Sequence, residues 1–266
     1  GIVTDLKILK SPKKRLLLQT SILILLVYIS KLQIIDTRTD LLNIIIEPKI
    51  INFCFVIFCL LILVNGSNFI DGLNGLLIGY FIMITIVLYS INFFSFYNID
   101  NEHYLIILTT LLLIFIFNVF NKLYLGDNGV YVLSVFFGLM LINYHQNFNE
   151  ISPYFYILIL WYPCFENLFS IIRKFRLKRS PIYPDTNHLH QLLFYYLKKK
   201  NNLKDISNNN LSSSIILLYN FFIFLISIND IYSTKLQIFT LFSAIVTYII
   251  FYIFLFNFKY KNLNFD

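Results

Sequence analysis

The feature that most constrains this chain is a succession of eight apolar stretches, at 16–30, 50–64, 76–94, 104–120, 130–144, 154–172, 212–228 and 236–256, parted by short polar segments. Lipid offers no hydrogen-bond partner to a backbone N–H or C=O, so such a stretch satisfies itself as a helix. A hydrocarbon core about 30 Å thick needs roughly 20 apolar residues per helix, and the shorter stretches reach that length by borrowing flanking residues. The sequence therefore predicts an all-α fold, a polytopic transmembrane helical bundle of about eight membrane-spanning helices forming a single domain over residues 1–266. Composition agrees, since 58% of the 266 residues are hydrophobic and 13% charged, where a water-soluble domain carries about 25% charged residues. Soluble globular, disordered and disulfide-stapled chains are excluded together. Cys54, Cys59 and Cys164 all lie in apolar runs and read as small buried hydrophobes.

Orientation follows from Lys and Arg, which collect in short cytoplasmic loops. Placing residue 1 inside puts Lys7, Lys10, Lys13, Lys14, Arg15, Lys122, the nine cations between Arg173 and Lys204, and Lys259 and Lys261 on the inner side. Only Lys31, Arg38, Lys49 and Lys235 fall outside, so both termini are expected in the cytoplasm. The chain opens with Gly at a basic segment, which reads as lacking its true beginning.

Polar residues at membrane depth are costly and mark functional sites by default. Here they gather in four clusters, all on the side that the cations mark as cytoplasmic. The first holds Thr4, Asp5 and Arg15 in a basic flanking segment. In the second, residues 65–76, Asn68, Asp71 and Asn74 recur every three residues and share one face of a helical turn. The third, 117–129, carries Asn118, Lys122 and Tyr124 and ends in Gly126-Asp127-Asn128-Gly129 at the start of an apolar helix. An acid there suits a hard cation, and adjacent amides suit phosphate oxygens. A plain helix N-cap would look the same. The fourth is the basic loop 173–205 with Pro184-Asp185 and then His188 and His190, whose alternation puts both rings on one side only on an extended segment. Residues 192–200 read as an interfacial amphipathic stretch. His103 and His145 fall in outer loops and are assigned no role.

Carboxylates for a divalent metal, cations for phosphates and histidines able to trade protons are the parts of a phosphoryl-transfer site. A site at the cytoplasmic boundary reaches both a water-soluble nucleotide and a lipid phosphate. The motifs Asn-x-x-Asn-Phe-x-Asp-Gly-x-x-Gly-Leu (65–76), Phe-Asn-x-x-x-Lys-x-x-Leu-Gly-Asp-x-Gly (117–129) and Ser-Pro-x-x-Pro-Asp-x-x-His-Leu-His (180–190) together resemble the polyprenyl-phosphate N-acetylhexosamine-1-phosphate transferases. Family members have ten or eleven transmembrane helices, so the resemblance implies that about three are absent before Gly1.

The resemblance implies transfer of an N-acetylhexosamine-1-phosphate from a UDP-N-acetylhexosamine to a polyprenyl (undecaprenyl) phosphate, with Mg²⁺, or Mn²⁺ in its place, and release of UMP. It makes Asp127 the metal-binding acid and Asp71 a second acid serving metal and catalysis. Asp5, His188 and His190 become catalytic, while Asn68, Asn74, Asn118, Tyr124, Arg15 and Lys122 contact substrate. Expected partners are the UDP-sugar, polyprenyl phosphate and the bilayer of the cytoplasmic (inner) membrane, with no nucleic acid, and a second copy in a homodimer. The sequence departs from the family pattern at Thr4, Asn74 and Gln191, where an acid, an acid and a histidine are usual. The last two resemble an O-antigen or capsule-type branch more than a peptidoglycan one. Two other classes stay open. A transporter would place acids near the midplane on broken helices in repeated halves, and a catalytically inactive scaffold of the same fold would tolerate loss of all four clusters.

Overall fold

The computed structural model describes residues 11–91, 93, 101–178, 180 and 185–263. Thr4 and Asp5 lie outside the described residues. Within them the chain is helical, without strands: α1 (Pro12–Ser30), α2 (Asp40–Ile46), α3 (Lys49–Ile70), α4 (Leu76–Ser90), α5 (Asn101–Val119), α6 (Gly126–Asn147), α7 (Pro153–Ile159), α8 (Trp161–Arg176), α9 (Leu189–Lys200), α10 (Asp205–Ile228) and α11 (Thr234–Leu263).

Each of the eight apolar stretches falls on a helix, with α7 and α8 sharing one stretch. Four helices are long and apolar enough to cross a bilayer, Lys49–Ile70, Gly126–Asn147, Asp205–Ile228 and Thr234–Lys261. The α7–α8 pair would be a fifth, but it is bent by 76°, which corrects the unbroken span expected over 154–172. The cause is in the sequence. Pro163 has no N–H for the carbonyl of Ile159, and its ring clashes with the preceding turn, so the chain leaves helical geometry at Leu160 (φ −106°, ψ 4°). The apolar helices Leu76–Ser90 and Tyr104–Val119 are shorter, and α1 begins with Pro12 followed by Lys13, Lys14 and Arg15.

The chain divides into two compact units. The first contains α1, α2, α3, α6, α7 and α8. Leu23, Val27, Leu32, Val56, Ile57 and Leu60 form its core, with Val135, Leu139 and Ile142 packed on it. Two glycines set helix distances there. A Cβ on Gly138 would stand 2.6 Å from a methyl of Leu60, and one on Gly66 would stand 2.0 Å from the Pro163 carbonyl oxygen. Only glycine lets the α3 backbone approach the start of α8 this closely. Asn167 on α8 adds a hydrogen bond to the Ile62 carbonyl at 3.1 Å.

The second unit contains α4, α5, α9, α10 and most of α11. α4 is apolar on every side and buried nearly throughout, as a helix surrounded by others must be. Tyr80 meets Phe224 of α10 edge-on at 5.5 Å between centroids, and Tyr219 of α10 donates to the Ala244 carbonyl of α11 at 2.7 Å. In both units large apolar side chains such as Leu17, Tyr28, Phe222 and Phe239 face outward, while Ser134, Asn208 and Asn220 are buried. That inversion suits a hydrocarbon solvent. Of the cysteines, Cys54 is exposed and Cys59 and Cys164 are half-buried, so the first corrects the expectation of burial.

Candidate functional site

In the first unit, Asp127 opens the first turn of α6, where unsatisfied backbone N–H groups and the helix dipole favour negative charge. Its carboxylate gathers side chains from two other helices. The Arg15 Nη1 donates to Oδ2 at 2.9 Å, and the Asn68 Nδ2 donates to Oδ1 at 2.8 Å. Tyr131, four residues along α6 and therefore on the same face, donates to Oδ2 at 3.3 Å. Arg15 and Asp127 are both partly solvent-exposed, so the ion pair is modest in energy and open to exchange. Arg15 of the first cluster, Asn68 of the second and Asp127 of the third thus meet at one carboxylate, and Tyr131, which the sequence reading did not single out, joins them. Its position four residues after an acid at a helix start was the available signal.

A second polar group in this unit was also missed. α8 buries Glu166, Asn167, Ser170, Arg173 and Lys174 while exposing Leu168, Ile172 and Phe175, so its polar face points inward. The Arg173 Nη2 donates to both carboxylate oxygens of Asp185, at 2.9 and 2.7 Å, and Lys174 Nζ lies 6.0 Å from the centroid of Phe69. The sequence alone marks Arg173 and Lys174 only as orientation charges. Their spacing with residues 166, 167 and 170 marks one helical face within an otherwise apolar run.

In the second unit, Asn118 is buried and its amide is committed to the backbone. Oδ1 accepts from the Gly75 N–H, and Nδ2 donates to the Leu123 carbonyl at 2.7 Å. It fastens the 120–125 loop to the turn that starts α4. Gly75 holds φ +75° there, a conformation that glycine adopts without strain. Asn74 faces the same loop, donating to Asn121 Oδ1 at 3.1 Å. Its backbone N–H goes to Asn209 Oδ1 at 2.9 Å, and its carbonyl accepts from Ser213 at 2.7 Å. Tyr124 donates its hydroxyl to Asn121 at 2.6 Å and keeps its ring exposed, as Lys122 keeps its amine. Asp71, half-exposed, sits in the turn directly after α3.

His188 and His190 also belong to the second unit. His188 is the N-cap residue of α9, with an extended backbone (φ −76°, ψ 150°), and His190 lies in the first helical turn. The segment is therefore a helix start rather than a strand, yet the rings lie nearly parallel, 5.7 Å apart. The His188 N–H donates to Gln191 Oε1 at 3.4 Å. The approach to α9 is held by α11, with Lys259 donating to the Thr186 carbonyl at 2.8 Å and to Asn187 Oδ1 at 2.9 Å and Asn187 donating to Tyr260 at 2.9 Å.

Among the described residues no three His, Cys, Asp or Glu side chains converge as a protein cage for a metal. Around Asp127 both carboxylate oxygens accept hydrogen bonds, Oδ2 from Arg15 and Tyr131 and Oδ1 from Asn68.

Residues 1–145 match the family model of glycosyl transferase family 4. The chain is 27% identical to a decaprenyl-phosphate N-acetylglucosaminephosphotransferase of Mycolicibacterium smegmatis, over 49% of this chain and 37% of that protein. It is 24% identical to an undecaprenyl-phosphate alpha-N-acetylglucosaminyl 1-phosphate transferase of Thermotoga maritima, over 49% of this chain and 39% of that protein. With a probable undecaprenyl-phosphate N-acetylglucosaminyl 1-phosphate transferase of Bacillus subtilis it shares 29% identity, over 48% of this chain and 37% of that protein. The chain spans less than two fifths of the length of these curated relatives. No solved structure matches it.

Proposed function

We propose that this chain, which belongs to glycosyl transferase family 4, serves transfer of an N-acetylhexosamine-1-phosphate from a UDP-sugar to a polyprenyl phosphate at the cytoplasmic face of the inner membrane. The observation that carries this reading is the Asp127 carboxylate at the start of α6, held by Arg15, Asn68 and Tyr131. An acid in this setting, beside a guanidinium and a helix N-terminus, has the charges that a diphosphate and its cation need.

In the reaction, an oxygen of the acceptor phosphate attacks the β-phosphorus of the donor. The new P–O bond forms as the bond from that phosphorus to the bridging oxygen breaks, the bridging oxygen leaves with UMP, and the product is a lipid diphosphate sugar. Arg15 is the proposed phosphate contact, moving from Asp127 to the donor. Asn68 holds the carboxylate in place throughout. Asp127 is the proposed ligand for Mg²⁺, which when bound supplies charge neutralisation for the diphosphate. Asp71, His188, His190 and Asp5 keep the roles that their motif positions imply, in proton handling and placement of the lipid phosphate. The exposed ring of Tyr124 offers a stacking face for a base, and Lys122 a cation beside it. Asn74 and Asn118 act by shaping the loop that carries both. The departures at Asn74 and Gln191 favour a cell-surface polysaccharide of O-antigen or capsule type.

The test is conversion of UDP-N-acetylglucosamine and undecaprenyl phosphate to UMP by membranes bearing the full-length protein. Release of UMP only when lipid phosphate and a divalent cation are both present is expected. Lipid-independent uptake of a solute into vesicles, with no UMP formed, would overturn the reading.

A further inference from the structure

In the first unit α1 and α6 keep one register along their length. Arg15 reaches Asp127, 112 positions on. Leu23 and Val27 belong to the core on which Val135 and Leu139 pack. Just past the end of α1, the Gln33 N–H donates to Gln146 Oε1, 113 positions on, at 3.0 Å. Steps of four residues stay on one helical face, so Gln19, between Arg15 and Leu23, comes level with Tyr131. α3 runs the other way along the same seam. Asn68, near its end, meets Asp127 at the head of α6, while Leu60 and Leu63 lie against Gly138 further along. Ser67 continues the face of Leu60 and Leu63, toward the first turns of α6.

Gln19 is 7% exposed and Ser67 0%. Neither the Gln19 Nε2 nor the Ser67 Oγ has a hydrogen-bond partner among the described residues. Their neighbours on α1 are satisfied locally, since Thr20 and Ser21 donate to the Leu16 and Leu17 carbonyls at 2.8 and 2.9 Å. Two buried donors left open beside one acid point to a partner that belongs there, the more so in a helix bundle whose surroundings are hydrocarbon. α1 is basic over Lys13, Lys14 and Arg15 and apolar beyond. Gln19 therefore stands one turn, about 6 Å, on the hydrocarbon side of the Arg15–Asp127 pair.

Depth and charge select the partner. A nucleotide diphosphate comes from water and carries its charge to the Arg15 guanidinium. A group that meets neutral donors one turn deeper comes from the bilayer. We infer, on the transferase reading given above, that Gln19 is a contact for the acceptor, its Nε2–H donating to an oxygen of the polyprenyl phosphate, with the Ser67 hydroxyl as a second donor. Neutral donors hold this phosphate without drawing the diphosphate away from Arg15. The acceptor is thereby placed on the membrane side of Asp127 and the UDP-sugar on the water side.

The experiment measures binding of undecaprenyl phosphate and, separately, of UDP-N-acetylglucosamine to the full-length protein in detergent, by native mass spectrometry, with melting temperatures alongside. Gln19→Met keeps the length of the side chain and removes its amide. It is expected to weaken undecaprenyl phosphate binding by about tenfold or more, the scale of a hydrogen bond to a charged group, and to leave UDP-N-acetylglucosamine binding unchanged. Its melting temperature should not fall, because the amide it removes has no partner in the protein. Ser67→Ala should weaken binding of the lipid and spare the UDP-sugar in the same way. Undecaprenyl phosphate binding unchanged in Gln19→Met would overturn the assignment. Weakened UDP-sugar binding in its place would also overturn it, by giving Gln19 to the donor. A lower melting temperature with loss of both ligands would make Gln19 a packing residue and overturn it too. An unaltered protein that binds no undecaprenyl phosphate would instead overturn the transferase reading itself.

Discussion

Asn68, in the last two turns of α3, donates its side-chain amide to the carboxylate of Asp127, the acid at the head of α6, across 2.8 Å. The two residues are 59 positions apart. The same carboxylate takes the Arg15 guanidinium at 2.9 Å, so three segments converge on one acid. Polar residues far apart in the sequence thus meet at one carboxylate.

If Asp127 binds a divalent cation as proposed, the cation would compete with Arg15 for its carboxylate. Arg15→Gln is therefore expected to tighten Mn²⁺ binding in the absence of substrate by about fivefold, the value of an ion pair worth roughly 1 kcal/mol. The same substitution should slow UMP release, because the phosphate contact is lost. A Mn²⁺ titration by electron paramagnetic resonance reads the first effect. Weaker cation binding in the variant would show that Arg15 supports the cation rather than opposing it.

Asn118 makes two hydrogen bonds to the backbone, one to each side of the turn it closes. Asn118→Ala leaves the Gly75 N–H and the Leu123 carbonyl unmet and should lower stability by about 2 kcal/mol or more. Thermal unfolding in detergent checks this without substrate. Unaltered stability with a raised KM for the donor would instead make Asn118 a direct substrate contact.

Gly66 sits where the α3 backbone touches the Pro163 carbonyl, and a Cβ there would stand 2.0 Å from the oxygen. Both neighbours are backbone, so neither can swing aside. Gly66→Ala should cost about 1–3 kcal/mol by overpacking and, by shifting Asn68 two residues on, depress activity as well. Gly138→Ala meets only leucine methyl groups and should cost less. Equal melting temperatures for the two variants would contradict this ordering.

The helices were legible in the sequence because the hydrocarbon solvent leaves a long apolar run few alternatives to a helix. The acid of Gly126-Asp127-Asn128-Gly129 was legible for a similar local reason, since a helix start selects for it. What was hidden depended on neighbours distant in sequence. Nothing near Arg15 announces that its guanidinium reaches residue 127. The break at Leu160 was masked because Pro163 stands in a run whose apolar character does not change across it. The inward polar face of α8 was masked by the positive charge that also sets orientation. Asn118 shows the converse case, a motif residue at a site that the structure employs in holding its own backbone.

The most direct test of the account is UMP release by the full-length protein carrying Asp127→Asn, measured with saturating UDP-N-acetylglucosamine, undecaprenyl phosphate and Mg²⁺. The substitution preserves shape and removes the charge. The account predicts a fall in rate of about a hundredfold or more, the scale for loss of one transition-state electrostatic contact, in a protein whose melting temperature stays close to that of the unaltered chain. A variant that releases UMP at the unaltered rate would contradict it.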